Sequence, residues 1–227
     1  MQDTVCEINL CRGLRSGECP HALAVLPELN ARIAGAVQAT DWPAVCLAGS
    51  NGVPKAHQQL RISAAGCPNG CSRPPIADIG LVRAVRPQYR SALCNGCGRC
   101  QEVCREGALT ATSAGLHIAP DACLQCGACI RACPERALGE AQSGWRVLLG
   151  GHLGRHPQLA LELPGLFSEN QMLDLLTATA AWWSRHWHHG LRLGARRGAL
   201  CAALIHEGHI PKETCTLFEK GAICSPQ

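Results

Sequence analysis

The chain has 227 residues, 17 cysteines and a formal net charge of +4, so it has room for one large domain or two small ones. The positive charge is mild and spread along the chain, which predicts no nucleic-acid partner. No secretory leader and no run of about 18 apolar residues is visible, which predicts no membrane span. Successive C-x2-C steps are typical of cluster ligation, not of a secreted disulfide framework, and they predict a reducing cytoplasm as the location.

The amino-terminal segment has two cysteines before a predicted helix. Cys11 and Cys19 are followed by apolar residues at near-helical spacing, which predict a helix from Cys19 to about Val37. From these residues alone, the two cysteines fit cluster ligands and ordinary buried thiols equally well. Residues 40–57 are punctuated by glycine and proline and predict a connecting loop, in which Cys46 is a small buried hydrophobe.

The most distinctive stretch runs from residue 61 to residue 80. Residues 61–65 predict a short strand, and residues 76–85 predict a second, buried strand. Between them, Cys67 and Cys71 form a C-x3-C loop that proline stiffens and glycine loosens, which suits two corners of one iron–sulfur cluster. The alternative, a buried structural thiol pair, is disfavoured because eight more cysteines follow in a repeated pattern.

Two copies of a four-cysteine motif lie within residues 91–139. Both copies have the spacing C-x2-C-x2-C-x3-C, as in two-cluster bacterial ferredoxins, where the fourth cysteine of each run binds the cluster of the other run. Zinc is the alternative metal, and the quartets disfavour it because zinc sites use well-separated pairs. The spacing therefore predicts two [4Fe–4S] clusters, one held by Cys94, Cys97, Cys100 and Cys133, the other by Cys104, Cys123, Cys126 and Cys129.

The last third of the chain predicts one strand and two helices. Residues 144–154 read as a strand followed by a glycine turn. Ser168 and Gln171 have the spacing of a capping box, and the apolar positions after them predict an amphipathic helix. Residues 198–208 predict a final helix.

Four stretches together carry a resemblance to a known family. They are LRISAAGCPNGCSRPPIADIGLV (60–82), the cysteine-rich stretch 91–139, GWRVLLGGHLGRHPQLALELPG (144–165) and, more loosely, CRGLRSGECPHAL (11–23). With them the chain resembles the siroheme-containing sulfite and nitrite reductases. The resemblance is closest to anaerobic, dissimilatory-type sulfite reductase subunits that carry a ferredoxin insert.

These features together predict an α+β fold. A reductase domain formed by residues 1–90 and 140–227 is expected to have a mixed sheet with helices on one face. Residues 91–139 are expected to interrupt it as a ferredoxin-like 2[4Fe–4S] insert of βαβ type. Without the insert, the strand near Ile79 and the strand near Val147 become neighbours in sequence, as expected for insertion at a hairpin.

The resemblance also implies a central site. In the family, four cysteines hold a [4Fe–4S] cluster, and the last of them also binds the iron of a siroheme, whose far side binds the oxyanion. By position, the ligands of this third cluster are Cys11, Cys19, Cys67 and Cys71, with Cys71 as the bridge. The residues expected to meet the acidic macrocycle are Asn69, Arg73, His152 and Arg155. No residue is assigned a catalytic role.

Three features depart from the family's pattern. The leading pair is C-x7-C where the family has C-x5-C, so Cys6, at C-x4-C from Cys11, is an alternative to Cys19. Arg83 stands where the family commonly has glycine. Only ten residues precede Cys11, where family members have an amino-terminal half that supplies much of the siroheme cavity. The chain is therefore expected to be a fragment, a partner-dependent subunit whose partner completes the cavity, or a derivative that passes electrons without reducing sulfite.

The leading functional hypothesis is a siroheme- and [4Fe–4S]-dependent reductase of a small oxyanion, sulfite or nitrite. Electrons would come from a donor protein or subunit and enter through the insert. The alternative is a multi-cluster, ferredoxin-type electron-transfer protein without a substrate site of its own.

Overall fold

The computed structural model describes residues 5–188 and 190–212. Its strands are β1 (Cys6–Leu10), β2 (Leu60–Ala65), β3 (Ile79–Tyr89), β4 (Leu109–Thr112), β5 (Gly115–Ile118), β6 (Leu138–Leu149) and β7 (Leu161–Glu162). Its α-helices are α1 (Arg12–Ser16), α2 (Leu29–Gln38), α3 (Trp42–Ala48), α4 (Arg99–Glu102), α5 (Ala128–Ala132), α6 (Glu169–His186) and α7 (Arg197–His206).

The framework is a five-stranded sheet with the order β1-β2-β3-β6-β7. The first three strands are parallel, whereas β6 and β7 run antiparallel to their neighbours. The sheet is therefore mixed, and the predicted α+β class is confirmed. None of the helices in the described part of the chain combines the length and apolar character that crossing a membrane requires.

One face of the sheet builds the main hydrophobic core. Ile62, Ile79 and Leu149 lie side by side on β2, β3 and β6, and each is at most 1% exposed. They pack in one cluster with the buried faces of α2, α3, α6 and α7. Because successive side chains alternate across a strand, the intervening residues face the other side of the sheet. That second face receives the central cysteine loop.

Helix α6 begins at the predicted capping box. Ser168 accepts a hydrogen bond from the Gln171 backbone N–H, and the Gln171 side chain accepts one from the Ser168 N–H. Both groups would otherwise be unpaired at a helix start. The predicted final helix is also present, as α7.

The helix predicted from Cys19 is wrong in its first half, because α2 begins only at Leu29. Before it, the Leu23 N–H donates to the carbonyl of Gly66. This amide is therefore paired with the central loop instead of with a preceding turn of helix. Tertiary pairing thus overrides the helical spacing of the apolar residues.

The loop predicted for residues 40–57 is also wrong, because it contains helix α3. Pro43 lies in the first turn, where a missing N–H has no helical partner to lose. Trp42 and Cys46 are both fully buried in the main core. The expectation that Cys46 is a small buried hydrophobe is confirmed.

Strands β3 and β6 form the long hairpin expected from the sequence. They pair from Ile79 opposite Leu149 to Tyr89 opposite Leu138. The chain between them forms α4, an antiparallel pair of β4 and β5, and α5. The expected βαβ arrangement is wrong because β4 and β5 pair directly, through a tight turn at Gly115, instead of across a helix.

Candidate metal centres

The central site begins where two parallel strands end. Leu10 of β1 lies opposite Ala64 of β2, so the residues that follow both strands meet at one edge of the sheet. Cys11 follows the first strand, and the Gly66 N–H after the second strand donates to the Cys11 sulfur at 3.2 Å. A backbone donor of this kind stabilises a negatively charged sulfur.

Cys19 is brought to the same edge by a chain reversal after α1. A Cβ added at Gly13 would lie 3.0 Å from the Cys19 Cβ and 2.8 Å from the Ala22 Cβ, so only glycine allows this approach. The Leu23 N–H, which donates to the Gly66 carbonyl at 2.9 Å, holds the reversal against the central loop.

Cys67 is the most buried cysteine of the predicted central set, at 7% exposure. Burial raises the pKa of its thiol, and the hydrogen bond from the Asn69 backbone N–H lowers it. Three neighbouring thiols raise the same pKa further because their charges lie close by: those of Cys19, Cys71 and Cys11. The four cysteines of the predicted central set therefore lie together.

Cys6, the alternative to Cys19, lies at the other end of β1. The five residues of that strand, each rising about 3.3 Å, separate it from Cys11 by about 16 Å. Its neighbour is instead Cys46, whose pKa is raised to about 11 by burial and by the charge of Cys6. Cys19 lies beside Cys67, and Cys6 does not.

The loop from Cys67 to Ala77 packs against the second face of the sheet, the one opposite the main core, and hydrogen bonds hold it there. Ser63 donates from its hydroxyl to the Ser72 carbonyl, and Ser72 donates to the Ala64 carbonyl at 2.7 Å. A Cβ on Gly80 would lie 2.3 Å from the Pro74 carbonyl oxygen, so strand and loop are in backbone contact. Cys71 is nevertheless exposed at the loop's outer edge.

Asp78 adds a further hydrogen bond at the base of this loop, and the sequence analysis did not identify it. Its carboxylate accepts the Arg61 backbone N–H at 3.0 Å and so joins the starts of β2 and β3. Burial raises its pKa to about 6, although the Arg61 N–H and the charge of Arg192 act in the opposite direction. The sequence does contain a signal for it, because Asp78 is a single acidic residue within an otherwise apolar run.

The four residues expected to meet a macrocycle lie on two neighbouring segments. Asn69 and Arg73 are exposed on the cysteine loop itself, and Arg73 has a left-handed backbone conformation. His152 and Arg155 lie on a turn that is joined to the base of that loop, where a Cβ on Gly151 would lie 2.4 Å from the Pro75 carbonyl oxygen.

The side chains of these four residues differ in their surroundings. The His152 Nδ1 atom is buried without a hydrogen-bond partner and lies beside Gly194. Within residues 5–188 and 190–212, the guanidinium groups of Arg73 and Arg155 take part in no hydrogen bond or ion pair, and both are exposed. The cations of Arg73, two residues after the exposed Cys71, and of Arg155 thus face solvent.

The first predicted cysteine set of the insert surrounds one small cavity, lined by Cys94, Cys97, Cys100 and Cys133. Burial raises the pKa of Cys100, and the charges of Cys133 and Cys94 raise it further. The left-handed glycines Gly96 and Gly98 curve the loop so that its thiols converge.

The second predicted set repeats this geometry. Burial raises the pKa of Cys129 to about 11, with further contributions from Cys123, Cys126 and Cys104. Gln125 and Gly127 have the same left-handed conformations as their counterparts in the first motif. The cysteine that crosses over in each predicted set thus lies beside the other three.

The second motif contacts the part of the chain outside residues 91–139. The Val85 N–H of β3 donates to the Gln125 carbonyl at 2.8 Å. A Cβ on Gly127 would lie 2.7 Å from Val85 and 3.1 Å from Leu23, the residue that follows the Cys19 reversal. A cleft of about 620 Å³ is lined by Cys67 together with the four cysteines of the second set, Cys104, Cys123, Cys126 and Cys129.

The chemistry of these donors fits iron–sulfur clusters. Among the described residues, no group of three or more His, Cys, Asp or Glu side chains surrounds the position of a single metal ion. A [4Fe–4S] cubane does not require that, because each thiolate binds a different iron. All-thiolate sets with backbone N–H groups directed at sulfur are the surroundings that such clusters use.

An α+β fold with clustered cysteine sets is the architecture of an iron–sulfur protein. The chain belongs to the family described as the nitrite and sulphite reductase 4Fe-4S domain, whose model matches residues 34–204. That range includes Cys67, Cys71 and all eight cysteines of the insert, whereas Cys11 and Cys19 precede it.

Curated relatives match a short part of the chain. The coenzyme F420-dependent sulfite reductase of Methanocaldococcus jannaschii is 47% identical over 51 residues, which are 22% of this chain and 8% of that protein. One polypeptide of the anaerobic sulfite reductase of Salmonella typhimurium is 32% identical over 50 residues, 22% of this chain and 15% of that polypeptide. The chain therefore matches only a small share of each relative's length.

A solved structure extends the likeness to most of the fold. The crystal structure of dissimilatory sulfite reductase I superposes with a TM-score of 0.56 at 15% identity, and it covers 88% of this chain and 51% of that one. At this identity the likeness shows the fold alone, and it supports the mixed-sheet architecture described above.

Proposed function

We propose that this chain is a siroheme- and [4Fe–4S]-dependent oxidoreductase of the sulfite reductase type, with three clusters. Cys11, Cys19, Cys67 and Cys71 would hold the central cluster, and the two quartets of residues 91–139 would hold the other two. Family membership supports an oxidoreductase of this kind and does not favour a ferredoxin without a substrate site. A reducing compartment such as the cytoplasm suits so many free thiols.

One observation carries the proposal: the C-x3-C loop has a buried thiol at one end and an exposed thiol at the other. Cys67 lies inward beside the other cysteines of the central site, whereas Cys71 lies at the surface. A thiolate in that position can bind a cluster on one side and a second iron on the other. Siroheme, when bound, would supply that second iron and the coordination position at which sulfite or nitrite is reduced.

The protein residues around Cys71 suit an acidic macrocycle and an anionic substrate. The exposed guanidinium groups of Arg73 and Arg155 have no partner among the described residues, so they are free to bind carboxylates bidentately. Asn69 adds an amide at the loop's surface, and His152 adds a half-buried imidazole ring on the neighbouring turn. These groups would bind and orient; none of them is assigned the transfer of a proton.

The contacts of the insert suggest an order for electron transfer. The second cysteine set shares a cleft with Cys67, and its loop contacts Val85 and Leu23. The cavity of the first set, in contrast, is lined by no residue of the central site. We therefore propose that a donor protein or subunit reduces the first cluster, which reduces the second, which reduces the central one.

A partner subunit is proposed to cover the Cys71 face. Cys71, Arg73 and Arg155 are all exposed, although a siroheme site must exclude most water around its substrate. This chain covers about half of dissimilatory sulfite reductase I, at 51%. A second chain could supply the remaining walls of the cavity.

Metal analysis and a visible spectrum of anaerobically purified protein test the proposal. Three cubanes and one siroheme predict about 13 iron per chain, together with the siroheme absorption bands that clusters lack. About eight iron without siroheme bands would support the ferredoxin-type alternative. About 12 iron without siroheme bands would support the three clusters but contradict the siroheme site.

A further inference from the structure

The side-chain amide of Asn95 joins the two segments that form the first cysteine set of the insert. Its Nδ2 donates to a carboxylate oxygen of Glu135 at 3.1 Å, and its Oδ1 accepts the Cys97 backbone N–H, also at 3.1 Å. Asn95 directly follows Cys94, and Glu135 lies two residues after Cys133. One side chain therefore connects the loop that carries three cysteines to the segment that carries the fourth.

This hydrogen bond lies at the cavity where the first cluster would bind. Asn95 and Glu135 both line that cavity, together with the cysteines of the set. Both residues are exposed, and so are Cys94 and Cys97. The first cluster would thus lie at the protein surface, within reach of solvent and of chelators.

The second motif offers an internal comparison. In that copy Leu124 stands where Asn95 stands, and Glu106 stands where Glu135 stands. A leucine side chain cannot donate a hydrogen bond, so Glu106 cannot receive the equivalent one. The second loop is held instead by β3, because one of its carbonyl groups accepts the Val85 N–H.

We propose that Asn95 is a positioning residue: its hydrogen bond to Glu135 keeps Cys133 beside the other cysteines of the first set and thereby slows the loss of iron from the first cluster. The inference rests on the proposed iron–sulfur function of the insert. Asn95 touches no reacting atom and acts through the cysteines on either side of the bond.

The direction of the effect follows from how a cubane is held. Each thiolate binds a different iron, so iron is released when one cysteine segment moves away from the others. Cys133 comes from a different segment than its three partners, so the backbone of their loop does not restrain it. A side-chain hydrogen bond at the surface contributes modestly, which predicts a change of roughly fivefold in the rate of iron release.

The first experiment measures iron release to a chelator from anaerobic holoprotein, with EPR spectra of dithionite-reduced samples to follow the clusters that remain. Glu135→Gln keeps an acceptor oxygen for Asn95, whereas Glu135→Leu removes it, and both variants carry the same charge. We expect Glu135→Leu to release about four iron per chain roughly fivefold faster than Glu135→Gln. Glu106→Leu, the same change in the second motif, is the matched control and should leave the rate unchanged.

The second experiment reverses the hydrogen bond. Asn95→Asp can still accept the Cys97 N–H, but it places two carboxylates together, so the first cluster should lose iron faster than in wild type. Adding Glu135→Gln to this variant lets the glutamine amide donate to the aspartate, and the wild-type rate should return. A role of Asn95 in the fold alone predicts no such rescue.

The outcomes separate the inference from the proposed function. Wild-type protein without two insert clusters contradicts the proposed function itself. With both clusters present, equal release rates for Glu135→Gln and Glu135→Leu overturn the role of Asn95, and so does a double variant that loses iron as fast as Asn95→Asp. If Asn95→Asp does not assemble its cluster, the two Glu135 variants decide, because both keep Asn95.

Discussion

The proposed central site takes its cysteines from two segments far apart in sequence, residues 11–19 and 67–71. Each proposed cluster of the insert would instead take three cysteines from one short loop. Cys11 and Cys67 meet because β1 and β2 are parallel neighbours, and Cys19 joins them through a reversal packed on Gly13. The insert needs no such framework, since left-handed turns such as the one at Gly98 bring its thiols together locally. The central site should therefore depend on the fold, and the insert should depend mainly on its own loops.

The largest effect should come from removing the buried thiol of the central site. Cys67→Ala removes one ligand of four, so we expect loss of about four iron per chain and of sulfite reduction. Both insert clusters should remain, because their cysteines do not include Cys67. Iron analysis and EPR check this, and Cys46→Ala, in a buried cysteine outside all three sets, is the control. Simultaneous loss of the insert clusters would mean that the two regions are one unit.

The reverse experiment removes one ligand from each cluster of the insert. Cys100→Ser and Cys129→Ser should each eliminate one low-potential EPR signal and leave the central signal in place. Cys129→Ser should also slow reduction of the central cluster by a protein donor, because Cys129 lines the same cleft as Cys67. Loss of the central signal in either variant would contradict the independence of the two regions.

The contact between strand and loop can be broken without touching a ligand. Gly80→Ala would place a Cβ 2.3 Å from the Pro74 carbonyl oxygen, so the cysteine loop must move. We expect a loss of about 4 kcal/mol in stability and a fall in melting temperature of roughly 10 °C. Thermal unfolding followed by circular dichroism measures it, and central iron should be lost before insert iron.

Gly35→Ala is the matched control for this substitution. Gly35 lies in α2 with nothing within 4 Å of an added Cβ, and alanine is the better helix former. The control should be neutral or stabilising by up to about 1 kcal/mol. A similar melting temperature for both variants would show that the contact at Gly80 does not matter.

The smallest predicted effect concerns pH. The pKa of Asp78 is raised to about 6 from 3.8, so its protonated form favours folding and that stabilisation is lost as pH rises through 6. Between pH 5 and pH 7 the loss is about 1 kcal/mol. Asp78→Asn cannot ionise and still offers an oxygen to the Arg61 N–H, so its melting temperature should lack this dependence. Equal pH profiles for both proteins would refute the assignment.

Much of the sheet could be predicted from the sequence, and so could the grouping of the insert's cysteines. The insert motif is local, and its spacing alone groups Cys94 with Cys133. The choice between Cys6 and Cys19 could not be made in this way, because it depends on which end of β1 meets Cys67. The helix predicted from Cys19 was wrong for the same reason: the Leu23 amide pairs with Gly66, a residue distant in sequence. Asp78 likewise acts through a contact with the Arg61 N–H that no spacing rule contains.

The bridging role proposed for Cys71 is tested most directly by Mössbauer and EPR spectra of wild type and Cys71→Ser, recorded on the same anaerobic preparation. A hydroxyl is a harder and far less acidic ligand than a thiol. The variant should lose the magnetic coupling between the siroheme iron and the central cluster, together with sulfite reduction, and it should keep both insert clusters. A coupled heme–cluster signal that survives in Cys71→Ser would contradict the bridge and make Cys67 the next candidate.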